Sequence, residues 1–250
     1  MKHLSNALNM AISMFTVIPL PKYKWEEKSA KYIMRIYPVI GLIVGLIWYG
    51  VYKVLKFLGC EIQLFSVLLM ITPFILTGFI HLDGFMDVCD ALLSRRPKEE
   101  KLRILKDSRV GAFSVIALLI IFFIEFSAFN SFLTKGINPI VLIIIPVISR
   151  AMAGYFMITK TSIGESYYGK LFKDGTGTRD RVILITIYIL MVILGYFLGN
   201  KYIIMSLIIG ISSFVLVKKC EKELGGINGD VAGYILTVSE LFGILVLAII

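Results

Sequence analysis

Seven long stretches of this sequence are nearly free of charged residues and rich in apolar ones. They cover residues 36–52, 62–80, 110–134, 136–159, 182–200, 202–217 and 231–250. A helix needs about 20 residues to cross the hydrocarbon layer of a membrane, and it satisfies all of its backbone polar groups internally. Composition agrees, because 58% of the 250 residues are hydrophobic and only 17% are charged. We therefore predict an all-α fold: a polytopic helical transmembrane bundle of about seven spans, forming a single integral membrane domain over residues 1–250.

The first 21 residues, MKHLSNALNMAISMFTVIPLP, combine a lysine with an apolar run, as a secretory signal does. They lack the small-residue cleavage site that such a signal needs. Asn and Ser residues are spaced through the apolar run, which is typical of a helix lying at the membrane surface. We therefore expect residues 1–21 to form an amphipathic or re-entrant helix that is ended by the prolines.

Lys and Arg residues are concentrated on one side of the predicted bundle. With seven alternating spans, the N-terminal arm shares a side with loops 81–109, 160–181 and 218–230, and this side carries 21 of the 26 basic residues. Cytoplasmic loops of membrane proteins collect Lys and Arg. We therefore expect the N-terminus and these loops to face the cytoplasm at the cell membrane. The net charge of +9 then needs no nucleic-acid partner.

The motif HLDGFMDVCD, which begins at His81, places three aspartates at helical spacing. Asp83, Asp87 and Asp90 fall on one face of a helix that we expect to continue from the second span. Like charges at this spacing destabilise a helix unless a cation lies between them, and carboxylate oxygens suit Mg²⁺ that is shared with substrate phosphates. Gly84 would let a phosphate approach the backbone. The alternative is a solvated acidic helix end, and we expect His81 to be an interfacial residue rather than a ligand.

Basic residues follow in the segment RRPKEEKLRILKDSRVGAF, where Pro97 is suited to begin a short helix. Lys106, Ser108 and Arg109 then stand beside the entry of the next span. A diphosphate needs fixed positive donors as well as a cation, and Arg can bind phosphate oxygens with two parallel hydrogen bonds. We expect Lys106 and Arg109 to act on a diphosphate, and anchoring at the cytoplasmic surface is the equal alternative.

A glycine-rich segment, LGGINGDVAGY, precedes the last span. Its glycines permit unusual backbone angles and expose amides to an anion. Gly226, Asn228 and Gly229 are therefore candidates for binding an anionic group, although a tight re-entry turn needs the same glycines. Asp230 lies on the same predicted side as the aspartate motif, where it could complete a metal or acceptor site.

Arg150 and Glu240 are lone charges inside predicted spans. A charge in hydrocarbon is costly, so both are expected to face the protein interior. We predict that they pair with each other. If they do not, Arg150 is better interpreted as a phosphate ligand that reaches toward the aspartates. Glu125, inside the third span, has no predicted partner.

Over nearly its whole length the sequence resembles the cobalamin synthase family, the membrane-bound adenosylcobinamide-GDP ribazoletransferases. The segments that carry the resemblance are FTVIPLP at 15–21, YPVIGLIVG at 37–45, HLDGFMDVCDAL at 81–92, KDSRVGAF at 106–113, ISR at 148–150, and GGINGDVAG with Glu240. The aspartate and KDSR segments are specific, whereas the apolar segments are not. Ala91 and Asn228 depart from the usual family pattern, but neither removes an acidic ligand.

The resemblance implies an Mg²⁺-dependent transferase that performs the last assembly step of cobalamin biosynthesis. Its substrates would be adenosylcobinamide-GDP and α-ribazole, or α-ribazole 5′-phosphate, and its products adenosylcobalamin, or its 5′-phosphate, and GMP. A ribazole hydroxyl would attack the phosphate on the corrinoid side while Mg²⁺, held by Asp83, Asp87 and Asp90, bridges the diphosphate. Lys106, Arg109 and the glycine segment would stabilise the leaving charge.

Two other functions fit part of the pattern. A CDP-alcohol-type phosphotransferase with a lipid acceptor would use similar aspartates and the same metal chemistry. A cation- or proton-coupled transporter would place polar residues near the membrane midplane in several spans. Most acidic residues here lie in loops on one predicted face, which favours an enzyme. The sequence leaves the oligomeric state open, a homo-oligomer included.

Overall fold

The structure, a computed structural model, describes residues 2–20, 25–164 and 167–250. Within these ranges it is helical, and its only β-type pairing is an isolated bridge between Ser162 and Ile227. The helices are α1 Lys2–Phe15, α2 Glu27–Ala30, α3 Ile33–Phe57, α4 Ile62–Leu76, α5 Ile80–Leu93, α6 Lys98–Ile104, α7 Ala112–Thr134, α8 Val141–Thr159, α9 Tyr167–Lys173, α10 Thr178–Leu198, α11 Asn200–Leu224 and α12 Gly229–Ile249. The predicted all-α fold is confirmed.

Six helices of the described chain are each long and apolar enough to cross a membrane, namely α3, α7, α8, α10, α11 and α12. Helices α4 and α5 pass the same test only as a pair, and they are bent by 93° relative to each other. The molecule is therefore a multi-pass helical bundle with six spans, or seven if the bent pair counts as one.

The second predicted span differs from expectation, because it does not run into the aspartate motif as one helix. Helix α4 ends at Leu76, and the backbone takes left-handed φ angles of 59° at Gly78 and 62° at Phe79 before α5 begins. Glycine adopts such angles freely, whereas a bulky residue such as phenylalanine does so at a steric cost. The expectation of a continuous helix was wrong, because these two residues turn the chain sharply away from the axis of α4.

Helix α8 is the centre of the bundle. In the most apolar 18-residue stretch of α8, 89% of the residues are buried, whereas in the corresponding stretch of α10 only 11% are buried. Helix α3 lies directly on α8, because two glycines of α3 have no side chain to separate the backbones. A Cβ at Gly41 would stand 2.2 Å from the carbonyl oxygen of Pro146, and one at Gly45 would stand 2.7 Å from the Cα of Ile143.

Helix α1 is amphipathic. Its buried residues are Ala7, Met10, Ala11 and Phe15, at positions i, i+3, i+4 and i+8. This spacing places one apolar stripe of α1 against the core. The helix ends at Phe15, before Pro19, so the prolines do not themselves terminate it. Pro21, at the end of the expected helix, lies outside the described residues.

Ion pairs join helix ends at one end of the bundle. Arg35 of α3 pairs with Asp180 of α10, Lys101 of α6 pairs with Glu223 of α11, and Lys160 after α8 pairs with Glu221 of α11. Helix α5 lies at the same end, which we call the α5 face. Ion pairs between helices are thus concentrated at the end of the bundle where the aspartate motif lies.

Candidate active site

Helix α5 is held against the first turns of α12 by two glycines. A Cβ at Gly84 would stand 2.7 Å from the Cα of Asp230, and one at Gly233 would stand 3.0 Å from the carbonyl oxygen of His81. The two backbones therefore touch, which brings Asp230 beside the aspartate helix as predicted. The space next to Gly84 is filled by α12, so the expectation that a phosphate approaches the backbone there is not met.

The three aspartates of α5 line one cavity together with the basic segment that follows α6. This polar cavity has a volume of about 320 Å³. The site residues predicted from the sequence that line it are Asp83, Asp87, Asp90, Lys106, Ser108 and Arg109. Helix α5 thus supplies carboxylates to the cavity, and the loop after α6 supplies basic side chains. Carboxylates can bind a cation and basic side chains can bind the phosphates of a diphosphate, so the cavity offers ligands for both.

The aspartates of α5, together with Asp230, place several carboxylates close to one another. Asp83, Asp90 and Asp230 all lie close enough to Asp87 to act on it electrostatically. Among the described residues, no lysine or arginine forms an ion pair with any of these four. Like charges that close are unfavourable unless a cation joins them.

The donor set of this cavity fits Mg²⁺ of the substrate-sharing kind. In the part of the chain that the structure describes, no group of three or more His, Cys, Asp or Glu side chains is arranged to hold a metal ion by itself. Mg²⁺ rarely uses an all-protein cage; it is usually bound by one or two carboxylates, waters and substrate phosphates. Asp83, Asp87, Asp90 and the neighbouring Asp230 offer only hard oxygen ligands, which is the chemistry this ion requires.

Gly111, at the N-cap of α7, is a site residue that the sequence reasoning did not single out. A Cβ at this position would stand 2.0 Å from a carboxylate oxygen of Asp90, so any larger residue would force the carboxylate to move. The carboxylate therefore lies against the start of α7, where free backbone N–H groups and the helix dipole favour negative charge. Its only signal in the sequence was membership of the KDSRVGAF segment.

Arg109 is held by a neighbour at the rim of the polar cavity. Its Nη2 donates to Oδ2 of Asp107 at 2.7 Å and its Nε donates to Oδ1 at 3.0 Å. These hydrogen bonds from Arg109 lower the pKa of Asp107 to about 2. Both groups are therefore charged at neutral pH, and the guanidinium remains exposed enough to reach a phosphate.

The glycine segment divides into a structural part and a part that faces a second cavity. Gly226 packs on the loop after α8, because a Cβ there would stand 2.2 Å from the carbonyl oxygen of Thr161. Asn228 caps α12 by accepting from the Val231 amide at 2.9 Å, and its Nδ2 donates to Asp230 at 2.7 Å. Asn228 thus fixes both the start of α12 and the orientation of the Asp230 carboxylate.

The second cavity is larger and mainly apolar, with a volume of about 400 Å³. Asn228, Gly229 and Asp230 line one part of it, while Leu105 and Lys106 line both this apolar cavity and the polar cavity. The two cavities are therefore adjacent, with Lys106 at their boundary. This arrangement provides one compartment for charged groups and one for an apolar group.

Arg150 lies apart from both cavities. Its Nη1 donates to Oε1 of Glu240 at 2.7 Å, and the Ser149 hydroxyl donates to the same oxygen at 2.6 Å. The predicted pair between α8 and α12 is confirmed. Arg150 is 1% exposed, and it does not line either cavity, so the structure gives no support for it as a phosphate ligand.

Comparison with known proteins gives matches over the whole chain. An adenosylcobinamide-GDP ribazoletransferase of Clostridium perfringens (strain SM101 / Type A) is 54% identical, and the match covers 100% of both chains. One from Clostridium botulinum (strain Alaska E43 / Type E3) is 54% identical over 98% of this chain and 97% of its own. One from Brevibacillus brevis is 31% identical over 97% of each chain. No solved structure matches.

The family described as CobS, cobalamin-5-phosphate synthase, matches residues 7–248. The matched region contains the aspartate helix, the basic loop opposite it and the glycine segment that carries Asp230. Because the similarity runs through every part of both cavities as well as the membrane bundle, this chain belongs to the cobalamin-5-phosphate synthase family.

Proposed function

We propose that this protein transfers the adenosylcobinamide phosphate group from adenosylcobinamide-GDP to α-ribazole or α-ribazole 5′-phosphate. The products are adenosylcobalamin, or its 5′-phosphate, and GMP. The family and its ribazoletransferase relatives support the reaction class. The observation that carries the assignment of the site is the polar cavity, in which Asp83, Asp87 and Asp90 stand opposite Lys106 and Arg109.

In the proposed reaction, a ribose hydroxyl of the acceptor attacks the phosphorus on the corrinoid side of the diphosphate. The bond from this phosphorus to the bridging oxygen breaks, and GMP leaves with the electron pair. The hydroxyl proton passes to a carboxylate of the aspartate group. Positioning and charge stabilisation supply most of the rate enhancement in phosphoryl transfer, which matches a cavity built from acids and fixed cations.

Each group of residues in the polar cavity has its own role in the proposed reaction. Asp83 and Asp87, with Asp90 beside them, would hold Mg²⁺ together with substrate oxygens, and the ion when bound would supply positive charge to the diphosphate. Lys106 and Arg109 place ammonium and guanidinium groups beside the leaving phosphate, where negative charge develops. Gly111 leaves the room that Asp90 needs, and Ser108 lines the same cavity, where it offers a hydroxyl.

We also propose that the α5 face lies in the cytoplasm, where nucleotide substrates are available. The proposal rests on the excess of Lys and Arg in the connections at this face. Reporter fusions after residues 95 and 175 should report from the cytoplasm, and a fusion after residue 135 should report from the outside. A fusion at residue 95 that reports from outside would contradict the proposed orientation.

The direct test uses purified protein in detergent with adenosylcobinamide-GDP. We expect GMP release that requires both a ribazole acceptor and Mg²⁺, that stops with EDTA and that returns when Mg²⁺ is restored. Diacylglycerol in place of ribazole is the control for a lipid acceptor. Release of CMP from a CDP-alcohol with diacylglycerol, and no GMP with ribazole, would overturn the proposal.

A further inference from the structure

The apolar cavity has no role in the proposed phosphate chemistry, although it adjoins the polar cavity. Its lining is dominated by apolar side chains from five different helices: Met14, Phe15, Met34, Met157, Phe172 and Ala232. A volume of about 400 Å³ lies within the range of about 300–1,000 Å³ that is typical of small-molecule sites. The bundle therefore contains an apolar cavity that adjoins the polar one, because Leu105 and Lys106 line both.

We propose that this apolar cavity binds the base of the acceptor nucleoside, with the ribose directed toward Asp230 and Lys106. The inference rests on the proposed function and adds to it the position and the selectivity of the acceptor. The base of α-ribazole is a dimethylbenzimidazole, which is flat and mostly apolar. Methionine side chains adapt to such a ring and make favourable sulfur–aromatic contacts, and Phe15 offers an aromatic face.

Tyr37 and His81 also line this cavity, away from the polar group of Lys106, Asn228 and Asp230 in the sequence, and the hydrogen-bonding capacity of His81 is not fully used. The Tyr37 hydroxyl and Nε2 of His81 lie 2.8 Å apart and share one hydrogen bond. His81 is 6% exposed, and its Nδ1 has no partner within the described ranges. A dimethylbenzimidazole nucleoside retains one ring nitrogen with a free lone pair, which needs a donor when the base is buried. The pair of Tyr37 and His81 can provide a donor for one such nitrogen.

The other parts of the two substrates fit this cavity less well. Guanine carries several donors and acceptors along its edge, and burying them among methionine and phenylalanine side chains would leave most of them unpaired. The corrin macrocycle with its side chains is too large for about 400 Å³. The shared lining by Lys106 also places a bound base next to the phosphates, where an acceptor hydroxyl must arrive.

The test fills the cavity by stepwise enlargement of Ala232, using Ala232→Val and Ala232→Leu. Each variant is assayed with the dimethylbenzimidazole nucleoside and with the unsubstituted benzimidazole nucleoside, which lacks two methyl groups. The measured quantity is the ratio of kcat/KM for the two acceptors, because a ratio does not depend on the fraction of folded protein. Ala248→Leu is the matched control, since Ala248 is half-buried on the same helix at its other end.

The ratio of kcat/KM should shift in favour of the unsubstituted benzimidazole nucleoside. The shift should be larger for Ala232→Leu than for Ala232→Val, and it should reach about tenfold or more for Ala232→Leu. The reason is that one methylene in an apolar pocket changes selectivity by about 10- to 200-fold. KM for adenosylcobinamide-GDP should stay within about twofold, and Ala248→Leu should keep the wild-type ratio. An unchanged ratio in an active variant overturns the cavity assignment alone. If only KM for adenosylcobinamide-GDP rises, the cavity binds part of the corrinoid substrate instead. If removal of lipid relieves the defect, the cavity binds a lipid chain instead. Wild-type protein that forms no GMP with either acceptor overturns the proposed function as well.

Discussion

Acidic residues of this protein occur in two contrasting settings, inside the bundle and at the α5 face. Glu240 inside the bundle meets Arg150 and the Ser149 hydroxyl, so its charge is matched by groups of the protein itself. Asp83 and Asp87 at the α5 face form no ion pair among the described residues, although they lie close together. The contrast separates an acid that stabilises the fold from acids that, in the proposed function, bind a cation.

Location explains why the two settings differ. A charge between membrane helices has no water to solvate it, so it must be paired when the bundle forms. A group of acids at a helix end remains accessible to solvent, and a cation can arrive with the substrate. Glu125 belongs to neither setting, because it is buried and its Oε2 has no partner in the described part of the chain.

The largest effect is expected from Asp83→Asn or Asp87→Asn, which keep the volume and remove one charge. Loss of a cation ligand should lower kcat/KM by about 10²- to 10³-fold, which is the usual effect of removing one group that stabilises developing charge. The melting temperature in detergent without Mg²⁺ should not fall, because mutual repulsion is reduced. Near-wild-type activity of either variant at saturating Mg²⁺ would contradict the proposal that these aspartates bind a cation.

The opposite outcome is expected for the pair inside the bundle. Arg150→Met or Glu240→Leu alone should cost about 3–5 kcal/mol of stability, because each leaves an unpaired buried charge. The double variant should be closer to wild type than either single variant. Ser149→Ala provides the control, since loss of its hydroxyl should cost only about 1 kcal/mol. Thermal unfolding in detergent measures all four, and simply additive effects would show that the two residues are not coupled.

Gly111→Ala tests whether room for Asp90 matters at the α5 face. The added methyl would overlap the carboxylate and displace it, so we expect kcat/KM to fall by about 10- to 100-fold, as when the support of a metal ligand is removed. Gly50→Ala is the matched control, because a Cβ at Gly50 meets nothing within 4 Å. Equal activity of the two variants would mean that the position of Asp90 is unimportant.

The smallest effect is expected from Asp107→Asn. Asp107 is exposed and holds Arg109 only at the rim of the cavity, so kcat/KM should change by less than about fivefold. The lowered pKa of about 2 means that the Asp107 carboxylate remains charged at higher pH and loses its charge only as the pH falls through that value. The variant and the wild type should therefore have the same pH profile above about pH 4. A shifted acid limb in the variant would show that Asp107 takes part in proton transfer.

Features that depend on local spacing were predictable from the sequence. Asp83, Asp87 and Asp90 recur at helical intervals, and Lys106 with Arg109 follows in the adjacent loop, so their meeting in one cavity could be expected. The pairing of Arg150 with Glu240 followed from a simple requirement, because lone charges in apolar spans need a partner.

Features that depend on tertiary contact were not predictable in the same way. The segment around Gly78 and Phe79 is as apolar as the rest of its span, and hydropathy carries no information about a left-handed turn. Gly84 looked like an opening for a phosphate, whereas the contact that fills it comes from Asp230, far away in the sequence. The apolar cavity is formed by several helices, and its residues share no motif.

The glycine contacts between α5 and α12 also have a consequence for the order in which the molecule is made. Helix α12 follows all the other helices in the sequence, yet its first turns touch the backbone at Gly84 and His81. During synthesis the aspartate helix therefore leaves the ribosome long before its neighbour exists. A nascent chain that has inserted α3 to α11 lacks both Asp230 and the wall of the apolar cavity. The apolar cavity is therefore complete only after α12 has inserted, whereas the residues that line the polar cavity are already present in a chain that ends before α12.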